Sequence, residues 1–478
     1  MDPAGDRLSP SDAILWQIER DPLLRSTVTA VAFLDRAPDR DRLAARVERA
    51  THLVPRLRSR IVGPRFGLGA PRWVPVQDVD LGYHLRRVRV PRPGGMRDVL
   101  DLAEPIAMAP FDPARPLWEL TVVEGMSSGR AAMIQKFHHC LTDGVGGIEL
   151  ALSLLDPVAD PSEDPRPGVD DPPAATGGQA GWSTPALAGL GSAVHAAAHL
   201  GGSFLAVPRA ALAATSTAVK AATHPLATVD QWRTYAGVVV RTLAPVSSTE
   251  GLPHTRGLGR RLHALEVPLA DLHDAGHACG GTVNDALLAA VVEGLRRYHS
   301  HHGIDVDELS VTMPISFRRR SDELGGNHFT PARFTVPADV DDPLERMRRL
   351  GRIARDWQGA PVRQVSSSIA GVLDKLPTPV TAAVLVGLLT SIDTVVTNVP
   401  GWTDPMFLAG AEVVRQFGFA PTAGAAVNVA LLSHGSVACI GIEADRQAVP
   451  DDVVLVDSLV EGFDDVLGAI GRRSTVRV

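Results

Sequence analysis

The sequence predicts an α/β protein made of two sandwiches, each with a mixed β-sheet covered by helices. Three observations predict this class. The chain has 478 residues, of which 45% are hydrophobic, and this is enough for two or three domains with sizeable cores. Strand-like and helix-like segments occur in both halves without strict alternation. A stretch rich in Pro, Asp and Gly, at 156–181, separates the halves and has almost nothing to bury.

Charge, cysteine content and hydropathy exclude several classes of protein. The net charge of −7 and the lack of a basic run argue against a nucleic-acid partner. Three widely separated cysteines indicate neither a disulfide framework nor a zinc motif, as expected in a reducing cytoplasm. We find no signal-peptide pattern and no apolar run of about 18 residues, the usual minimum for a membrane span. We expect a cytoplasmic protein, soluble or peripheral on the inner membrane face or on lipid inclusions.

The first half is predicted to contain four helices and six strands. Its first helix, at 13–19, can be capped by a serine or aspartate of Leu8-Ser9-Pro10-Ser11-Asp12. Apolar residues at helical spacing predict further helices at 41–53, 96–108 and 148–155. β-Branched or alternating residues predict strands at 26–34, 56–62, 73–75, 83–88, 116–123 and 131–137.

One turn in this half, Gly125-Met126-Ser127-Ser128-Gly129, fits the Gly-x-Ser-x-Gly pattern of a serine-hydrolase elbow. That elbow requires a helix immediately after the serine. Here the following residues predict a strand, so a hairpin loop explains the turn better than a nucleophile at Ser127.

The middle of the chain differs in composition from both ends. After the predicted linker, an Ala-rich segment at 183–226 indicates one or two helices that pack between domains, an interpretation we favour over a membrane-surface helix because charges are few. We therefore divide the chain into an N-terminal domain at 1–155, a disordered linker at 156–182, a helical crossover at 183–250 and a C-terminal domain at 251–478.

The second half is predicted to begin with a strand at 261–267 and a helix at 269–278. Thr282 can then cap a long helix that runs to about residue 301. Strands follow at 309–315, 332–336 and 394–401, with an Arg-rich amphipathic helix at 344–357 before the last of them. A hairpin at 425–432 and 437–442 and a helix at 452–470 complete the half.

The stretch most informative about function is His138-His139-Cys140-Leu141-Thr142-Asp143-Gly144, at the end of a predicted strand. An imidazole held there can act as a general base, and we interpret His139 as the base of an acyl transfer. Three alternatives compete with this interpretation: buried hydrogen-bonded histidines, a metal site using His139 and Asp143, or a Ser-His-Asp triad. Further metal ligands at a defined spacing do not lie nearby in the sequence, and the triad would need Ser127.

Several other short motifs accompany the histidine motif in a fixed order. They are Leu8-Ser9-Pro10-Ser11-Asp12, Pro116-Leu117-Trp118-Glu119, Thr282-Val283-Asn284-Asp285, Pro314-Ile315-Ser316-Phe317-Arg318, Gly326-Asn327, Asn398-Val399-Pro400-Gly401 and Val449-Pro450-Asp451. Over essentially its whole length, the chain resembles the bacterial wax ester synthase/acyl-CoA:diacylglycerol acyltransferase family. Two positions depart from that family: His434 stands where a tyrosine is usual, and Thr397 where a serine is commoner.

The resemblance implies two chloramphenicol-acetyltransferase-like domains with the active site between them. Such enzymes move a fatty acyl group from acyl-CoA to a long-chain alcohol or a diacylglycerol. Acyl-CoA is then a co-substrate, and neither a metal nor another cofactor is required. Association with a membrane or a lipid droplet follows from the same substrates.

The resemblance also implies roles for individual residues. His139 matches the catalytic histidine, His138 is expected to pack or to orient, and Asp143 is expected to hold the loop by pairing with Arg58. The glycines after Asp143, of which Gly144 is the first, let backbone approach closely. Asn284 can line the site or donate to the oxyanion, although helix capping and domain packing explain Asn284 and Asp285 equally well. The remaining motif residues, expected to be structural, are Pro116, Leu117 and Trp118.

Two alternatives to this function stay open from the sequence. The chain could be a non-catalytic homologue that binds storage-lipid surfaces. It could also transfer acyl groups from a carrier protein, or to a secondary-metabolite acceptor, with the same histidine.

Overall fold

The computed structural model describes residues 6–63, 71–160, 255–316, 329–357 and 392–472, together with residue 476. Two mixed six-stranded sheets and one three-stranded sheet organise these residues. The predicted linker and crossover lie outside the described residues, except for 156–160. Within the described ranges, no helix combines the length and apolar character needed to cross a membrane.

Most helices match their predictions, because each has both an apolar face and a start signal. In chain order they are α1 (Pro10–Ile18), α2 (Arg40–Leu53), α3 (Leu81–His84), α4 (Met96–Met108), α5 (Gly144–Leu154), α6 (Leu269–Ala278), α7 (Val283–His301), α8 (Pro343–Asp356) and α9 (Asp452–Gly468). Ser9 caps α1 by accepting a hydrogen bond from the Asp12 backbone at 3.1 Å. Three starts differ from prediction: α1 begins three residues before 13, α5 begins four residues before 148, and the short α3 precedes a strand where 83–88 was predicted to be extended throughout.

Most strands also match their predictions. In chain order they are β1 (Asp6–Arg7), β2 (Thr27–Leu34), β3 (Ser59–Val62), β4 (Arg72–Pro75), β5 (Leu85–Arg89), β6 (Trp118–Glu124), β7 (Ala131–His138), β8 (Arg260–Pro268), β9 (Glu308–Ser316), β10 (Phe329–Pro337), β11 (Thr394–Trp402), β12 (Phe407–Leu408), β13 (Ala411–Phe419), β14 (Val427–His434) and β15 (Val437–Asp445). The sequence did not predict β1, β12 or β13. The predicted strand at 56–62 is extended only from Ser59, because Pro55–Arg58 forms a 3₁₀ turn.

The first six-stranded sheet holds β7 in its interior. Its strand order is β12-β13-β2-β7-β6-β5, and β5 runs parallel to β6 while the other pairs are antiparallel. Successive side chains of β7 face opposite layers: Met133 packs in a cluster with residues of α2 and α5, and Ile134 in one with residues of α4. This alternation fixes the direction in which each residue of the histidine motif leaves the strand.

The second six-stranded sheet has the order β10-β9-β11-β14-β15-β8, with β11 parallel to both β9 and β14. Helices α6 to α9 supply residues to its apolar core, and α7 is buried along most of its length. The predicted hairpin is confirmed as β14 and β15, which pair antiparallel. Both sheets are mixed and both carry helices, so the predicted α/β class is confirmed.

Strands β12 and β13 join the two halves. They lie in the second half of the chain, yet β13 pairs antiparallel with β2 and so extends the first sheet. β13 also packs against β15, where a β-carbon on Gly441 would lie 2.0 Å from the Gly418 carbonyl oxygen. Sheet membership therefore crosses the predicted boundary between the two domains at this strand.

Candidate active site

The two histidines of the motif leave the end of an interior strand. His138 is the last residue of β7, and His139 opens the turn that follows. The His138 backbone N–H donates to the Leu117 carbonyl at 3.0 Å, and that of His139 donates to the Ser26 carbonyl at 2.7 Å. Backbone hydrogen bonds to the segments on both sides of β7 therefore continue as far as His139, the candidate base.

The turn after His139 is closed by His138. The His138 imidazole Nδ1 accepts a hydrogen bond from the Cys140 backbone at 3.1 Å, and the His138 carbonyl accepts one from Leu141 at 2.9 Å. Every backbone N–H from 138 to 141 is therefore bonded. An accepting Nδ1 places the His138 ring proton on Nε2 in the neutral form. His138 is 1% exposed, and its two hydrogen bonds hold the shape of the turn.

Arg56 binds the carbonyl side of the same turn. Its Nη1 lies 3.2 Å from the Cys140 carbonyl oxygen and 3.4 Å from that of Leu141. The same nitrogen lies 3.4 Å from Oδ2 of Asp12, whose side chain is fully buried. The sequence motifs did not point to Arg56. The available signal was Asp12 in an otherwise apolar helix, because a buried carboxylate requires a cationic or hydrogen-bonding partner.

The predicted ion pair between Arg58 and Asp143 is not what the structure shows. The Arg58 guanidinium contacts Thr51 Oγ1 at 3.3 Å, the His52 ring at 3.1 Å and the Gln77 carbonyl at 3.4 Å. The reason is the 3₁₀ turn. Residues two apart share a face in a strand, but they lie about 240° apart in a helix of three residues per turn. Arg56 and Arg58 therefore point to different neighbours.

Asp143 holds the loop in another way, as the N-cap of α5. Its Oδ1 accepts a hydrogen bond from the Gly146 backbone at 2.9 Å, and the side chain is buried. A carboxylate there satisfies an otherwise unbonded N–H and faces the positive end of the helix. The structural role expected of Asp143 is thus carried by a backbone contact.

The Pro116-Leu117-Trp118 motif braces the histidine strand from β6. The Leu117 carbonyl accepts the hydrogen bond from the His138 backbone N–H, and the Pro116 carbonyl accepts one from the Trp118 backbone at 3.0 Å. The Trp118 indole donates to the Leu57 carbonyl at 2.9 Å and stacks on His84 with 4.3 Å between ring centroids. Through these contacts the motif joins the end of β7 to Leu57 and to His84 of α3.

The other reactive groups near the turn are buried or lie away from His139. Burial raises the pKa of the Cys140 thiol well above its usual value, so the sulfur stays protonated. Lys136 is 1% exposed, with Nζ 4.1 Å from the Phe111 ring centroid, and burial lowers its pKa. Ser127 lies in the 3₁₀ turn between β6 and β7, a strand's length from His139, which confirms a hairpin loop there.

The second half contributes Asn284 and Asp285 at the start of α7. The Thr282 backbone donates to Asp285 Oδ2 at 2.8 Å, and Arg355 Nη1 lies 2.9 Å from the same oxygen. Asp285 therefore takes the capping role. Asn284 does not: its Oδ1 accepts from Asn398 Nδ2 of β11 at 2.6 Å.

The two halves meet where β11 passes the start of α5. A β-carbon on Gly144 would lie 3.0 Å from Val399 Cγ2, so glycine allows this close approach. Val399 follows Asn398, which holds Asn284. We call the line of Gly144, Val399, Asn398 and Asn284 the seam. It brings the motif residues of both halves together directly after the turn that carries His139.

Two further possibilities raised by the sequence are a role for His434, which lies in the second half of the chain, and a metal site. His434, one of the departures from the family pattern, is 8% exposed and packs edge-on against Trp402 with 5.2 Å between centroids. Burial lowers its pKa. Over the described residues, no three His, Cys, Asp or Glu side chains are grouped so as to hold a metal ion.

The turn that carries His139 ends an interior strand beside the seam, and the matching family models make the protein a two-domain acyltransferase. Comparison with known proteins makes this more specific. The family model described as the wax ester synthase/diacylglycerol acyltransferase catalytic domain matches residues 8–287, and that of the family's C-terminal domain matches 325–466. The chain belongs to the wax ester synthase/diacylglycerol acyltransferase family.

Individual relatives agree with this assignment. A putative diacylglycerol O-acyltransferase of Mycobacterium tuberculosis is 37% identical over 98% of this chain and 93% of its own length. A probable diacylglycerol O-acyltransferase of the same species is 30% identical, covering 92% and 90%. Among solved structures, the wax ester synthase/diacylglycerol acyltransferase of Marinobacter aquaeolei VT8 superposes with a TM-score of 0.61 at 20% identity, covering 97% of this chain and 99% of its own. The first condensation domain of the calcium-dependent antibiotic synthetase shares the fold, with a TM-score of 0.62 at 14% identity, covering 97% and 96%.

Proposed function

We propose that this protein transfers a fatty acyl group from acyl-CoA to the hydroxyl of a diacylglycerol or a long-chain alcohol, with His139 as the general base. The observation that carries the proposal is the fixed backbone of residues 138–141 beside the seam. A base whose backbone is held on both sides meets the substrate in one geometry, and such positioning supplies much of a transfer enzyme's rate. The names of the relatives support the choice of substrates.

The reaction needs one proton carrier. The neutral His139 imidazole takes the hydroxyl proton while the alcohol oxygen bonds to the thioester carbonyl carbon. The resulting tetrahedral intermediate collapses as the carbon–sulfur bond breaks. The imidazolium then returns the proton to the departing thiolate, giving free CoA and the ester. The protein forms no covalent intermediate, and acyl-CoA is a co-substrate, so the proposal includes no metal and no resident cofactor.

The negative charge on the intermediate's oxygen requires hydrogen-bond donors. Asn284 is our candidate because its Oδ1 accepts from Asn398 at the seam, and its amide N–H groups can serve as donors. The start of α5 adds the positive end of a helix dipole at the same seam.

We further propose that the protein works at the inner membrane face or on lipid inclusions. The support is the chemistry of the acceptor, because diacylglycerol and long-chain alcohols partition into lipid rather than water. Flotation with vesicles containing diacylglycerol checks this. Recovery of the protein with the vesicles is expected, and equal recovery without vesicles would contradict it.

The decisive test is thiol release from palmitoyl-CoA with hexadecanol or diacylglycerol as acceptor. His139→Ala should lower turnover by about 10²- to 10⁴-fold, the usual contribution of a general base. The matched control is His301→Ala, an exposed histidine at the end of α7, which should retain full activity. Turnover by His139→Ala equal to that of the unmodified protein would refute the base assignment.

The same assay separates the two alternative functions left open by the sequence. A lipid-binding homologue without catalysis would float with vesicles yet release no thiol with any acceptor. An enzyme for carrier-linked substrates would be active with acyl-carrier-protein donors and inactive with palmitoyl-CoA. Either result would overturn the proposed substrates.

A further inference from the structure

We propose that Glu19 is a positioning residue that holds His139 in place through Ser26. The inference rests on the proposed function only in treating His139 as the base. The hydrogen bonds from Glu19 to Ser26 and from Ser26 to His139 are present whatever reaction the protein catalyses. No motif used to recognise the family includes Glu19.

The connection from Glu19 to His139 runs through a single residue. Glu19 Oε2 accepts a hydrogen bond from the Ser26 backbone N–H at 2.8 Å, and the Ser26 carbonyl accepts one from the His139 backbone at 2.7 Å. Ser26 is 3% exposed, and the Glu19 side chain is 18% exposed. Hydrogen bonds to an ionised carboxylate are about twice as strong as neutral ones. The carboxylate therefore fixes the residue that fixes His139.

The same carboxylate oxygen also lies beside the first histidine. Glu19 Oε2 is 3.3 Å from His138 Nε2, the nitrogen that carries the ring proton when Nδ1 accepts from Cys140. Among the described residues, His138 Nε2 has no aligned hydrogen-bond partner, so attraction to Glu19 is electrostatic at this distance. One carboxylate oxygen therefore contacts the ring of one histidine and, through Ser26, the backbone of the other.

The position of Glu19 on its helix supports this role. Glu19 directly follows the last residue of α1, and a negative charge at a helix C-terminus is unfavourable by about 0.3–1 kcal/mol. Helix stability therefore does not explain a carboxylate at this position, whereas the contacts with Ser26 and His138 do.

Helix α1 also delivers a second carboxylate to the same turn. Asp12 and Glu19 are seven residues apart, which is close to two full helical turns, so both lie on one face of α1. Asp12 contacts Arg56, which donates to the carbonyls of Cys140 and Leu141. Glu19 acts on the N–H side of the turn and Asp12 on its carbonyl side. We call this pair the α1 clamp.

The experiment combines kinetics with hydrogen exchange on Glu19→Ala and Glu19→Gln. In Glu19→Ala, turnover should fall by about tenfold or more while KM for acyl-CoA changes by less than about threefold, because the base is misplaced and the binding surface is kept. Glu19→Gln retains an oxygen that can accept from Ser26, so it should recover most of the loss. Adding Glu19→Ala to His139→Ala should cost nothing further, since Glu19 acts through His139.

Hydrogen exchange tests the placement without reference to catalysis. Peptides covering 137–143 should exchange at least about tenfold faster in Glu19→Ala, while peptides covering β15 stay unchanged. The matched control is Glu124→Ala, which removes a carboxylate paired with Arg87 at the far end of β6 and should alter neither readout.

Two results would overturn the inference. One is unchanged exchange at 137–143 in Glu19→Ala. The other is a fully active Glu19→Ala variant, or one whose loss persists in the His139→Ala background. If the unmodified protein itself releases no thiol, the proposed function fails, and the exchange measurement still decides whether Glu19 holds the turn.

Discussion

Helices α5 and α7 both begin at the seam, and an aspartate caps the start of each. Asp143 caps α5 from the N-cap position by accepting from Gly146. Asp285 caps α7 from inside the first turn by accepting from Thr282, and it also contacts Arg355. The local chemistry is the same in the two halves of the chain.

What precedes each helix is different. Before α5 lies the turn of residues 138–141, whose backbone is hydrogen-bonded to Ser26, Leu117 and Arg56. Before α7 lies Gly281, where a β-carbon would be 2.3 Å from an Asp285 carboxylate oxygen, so the loop collapses onto its own cap. In the first half the residues before the helix form a turn bonded to three other segments, and in the second half they pack on the helix cap. In both motifs the aspartate caps a helix. The two helix starts differ in the backbone segment that precedes the cap.

The largest effect is expected from a substitution that loosens the turn before α5. Arg56→Ala removes the donor to two turn carbonyls and leaves the buried Asp12 without this partner. We expect turnover to fall by about 10²-fold and the free energy of unfolding by about 2 kcal/mol. Arg58→Ala is the control, because its contacts are with Thr51, His52 and Gln77, and it should cost under about 1 kcal/mol with little loss of turnover. Urea unfolding and thiol release measure both, and a reversed order of the two variants would favour Arg58 as the residue that holds the turn.

Removing either helix cap should have a smaller effect. Asp143→Ala and Asp285→Ala should each lower the free energy of unfolding by about 1 kcal/mol through loss of a cap. Only Asp143→Ala should also lower turnover, by about tenfold, because its helix begins next to the turn of His139. Asp143→Asn should restore most of both losses, since asparagine caps as well as aspartate. Equal losses of turnover in the two alanine variants would show that both caps support the reaction.

The smallest effect on turnover is expected from a group deep in the second sheet. Burial raises the pKa of Glu443 to about 7, and nearby Asp445 adds to this while Arg260, 3.5 Å away, opposes it. The folded-state pKa lies above the unfolded value near 4.5. Stability from this group is therefore complete below about pH 4.5 and is lost as the pH rises towards and through about 7.

Glu443→Gln should remove that pH dependence. Between about pH 5 and about pH 8, the variant should gain about 1–3 kcal/mol relative to the unmodified protein, with turnover unchanged. Urea midpoints at the two pH values give the comparison. A stability difference that is the same at both pH values would show that Glu443 ionises normally.

Much of the fold could be predicted because its signals are local. Helices α4 and α6 begin and end where apolar spacing and flanking residues place them, and Thr282 starts α7 as predicted. The strand that ends in the histidine motif was also predicted to within one residue. These elements depend on residues within a few positions of one another, which is the range over which helix caps and side-chain periodicity act.

Other features depend on contacts between distant parts of the chain. Strand β13 joins the first sheet by pairing with β2, a segment from the opposite end of the chain, and its own residues do not indicate that partner. The choice of Arg56 over Arg58 follows from a 3₁₀ turn that a strand-like alternation concealed. The link between Glu19 and His139 needs Ser26 to lie beside the end of β7.

The class of the protein and its candidate base could be predicted from the sequence, since both depend on short motifs in a fixed order. The groups that hold that base became visible only in the folded chain. Ser26, Arg56 and Glu19 reach the turn through long-range packing, and a hydrogen bond is specified by the position of both partners in space. The residues near a group in the sequence can specify the position of that group but not of its distant hydrogen-bond partner.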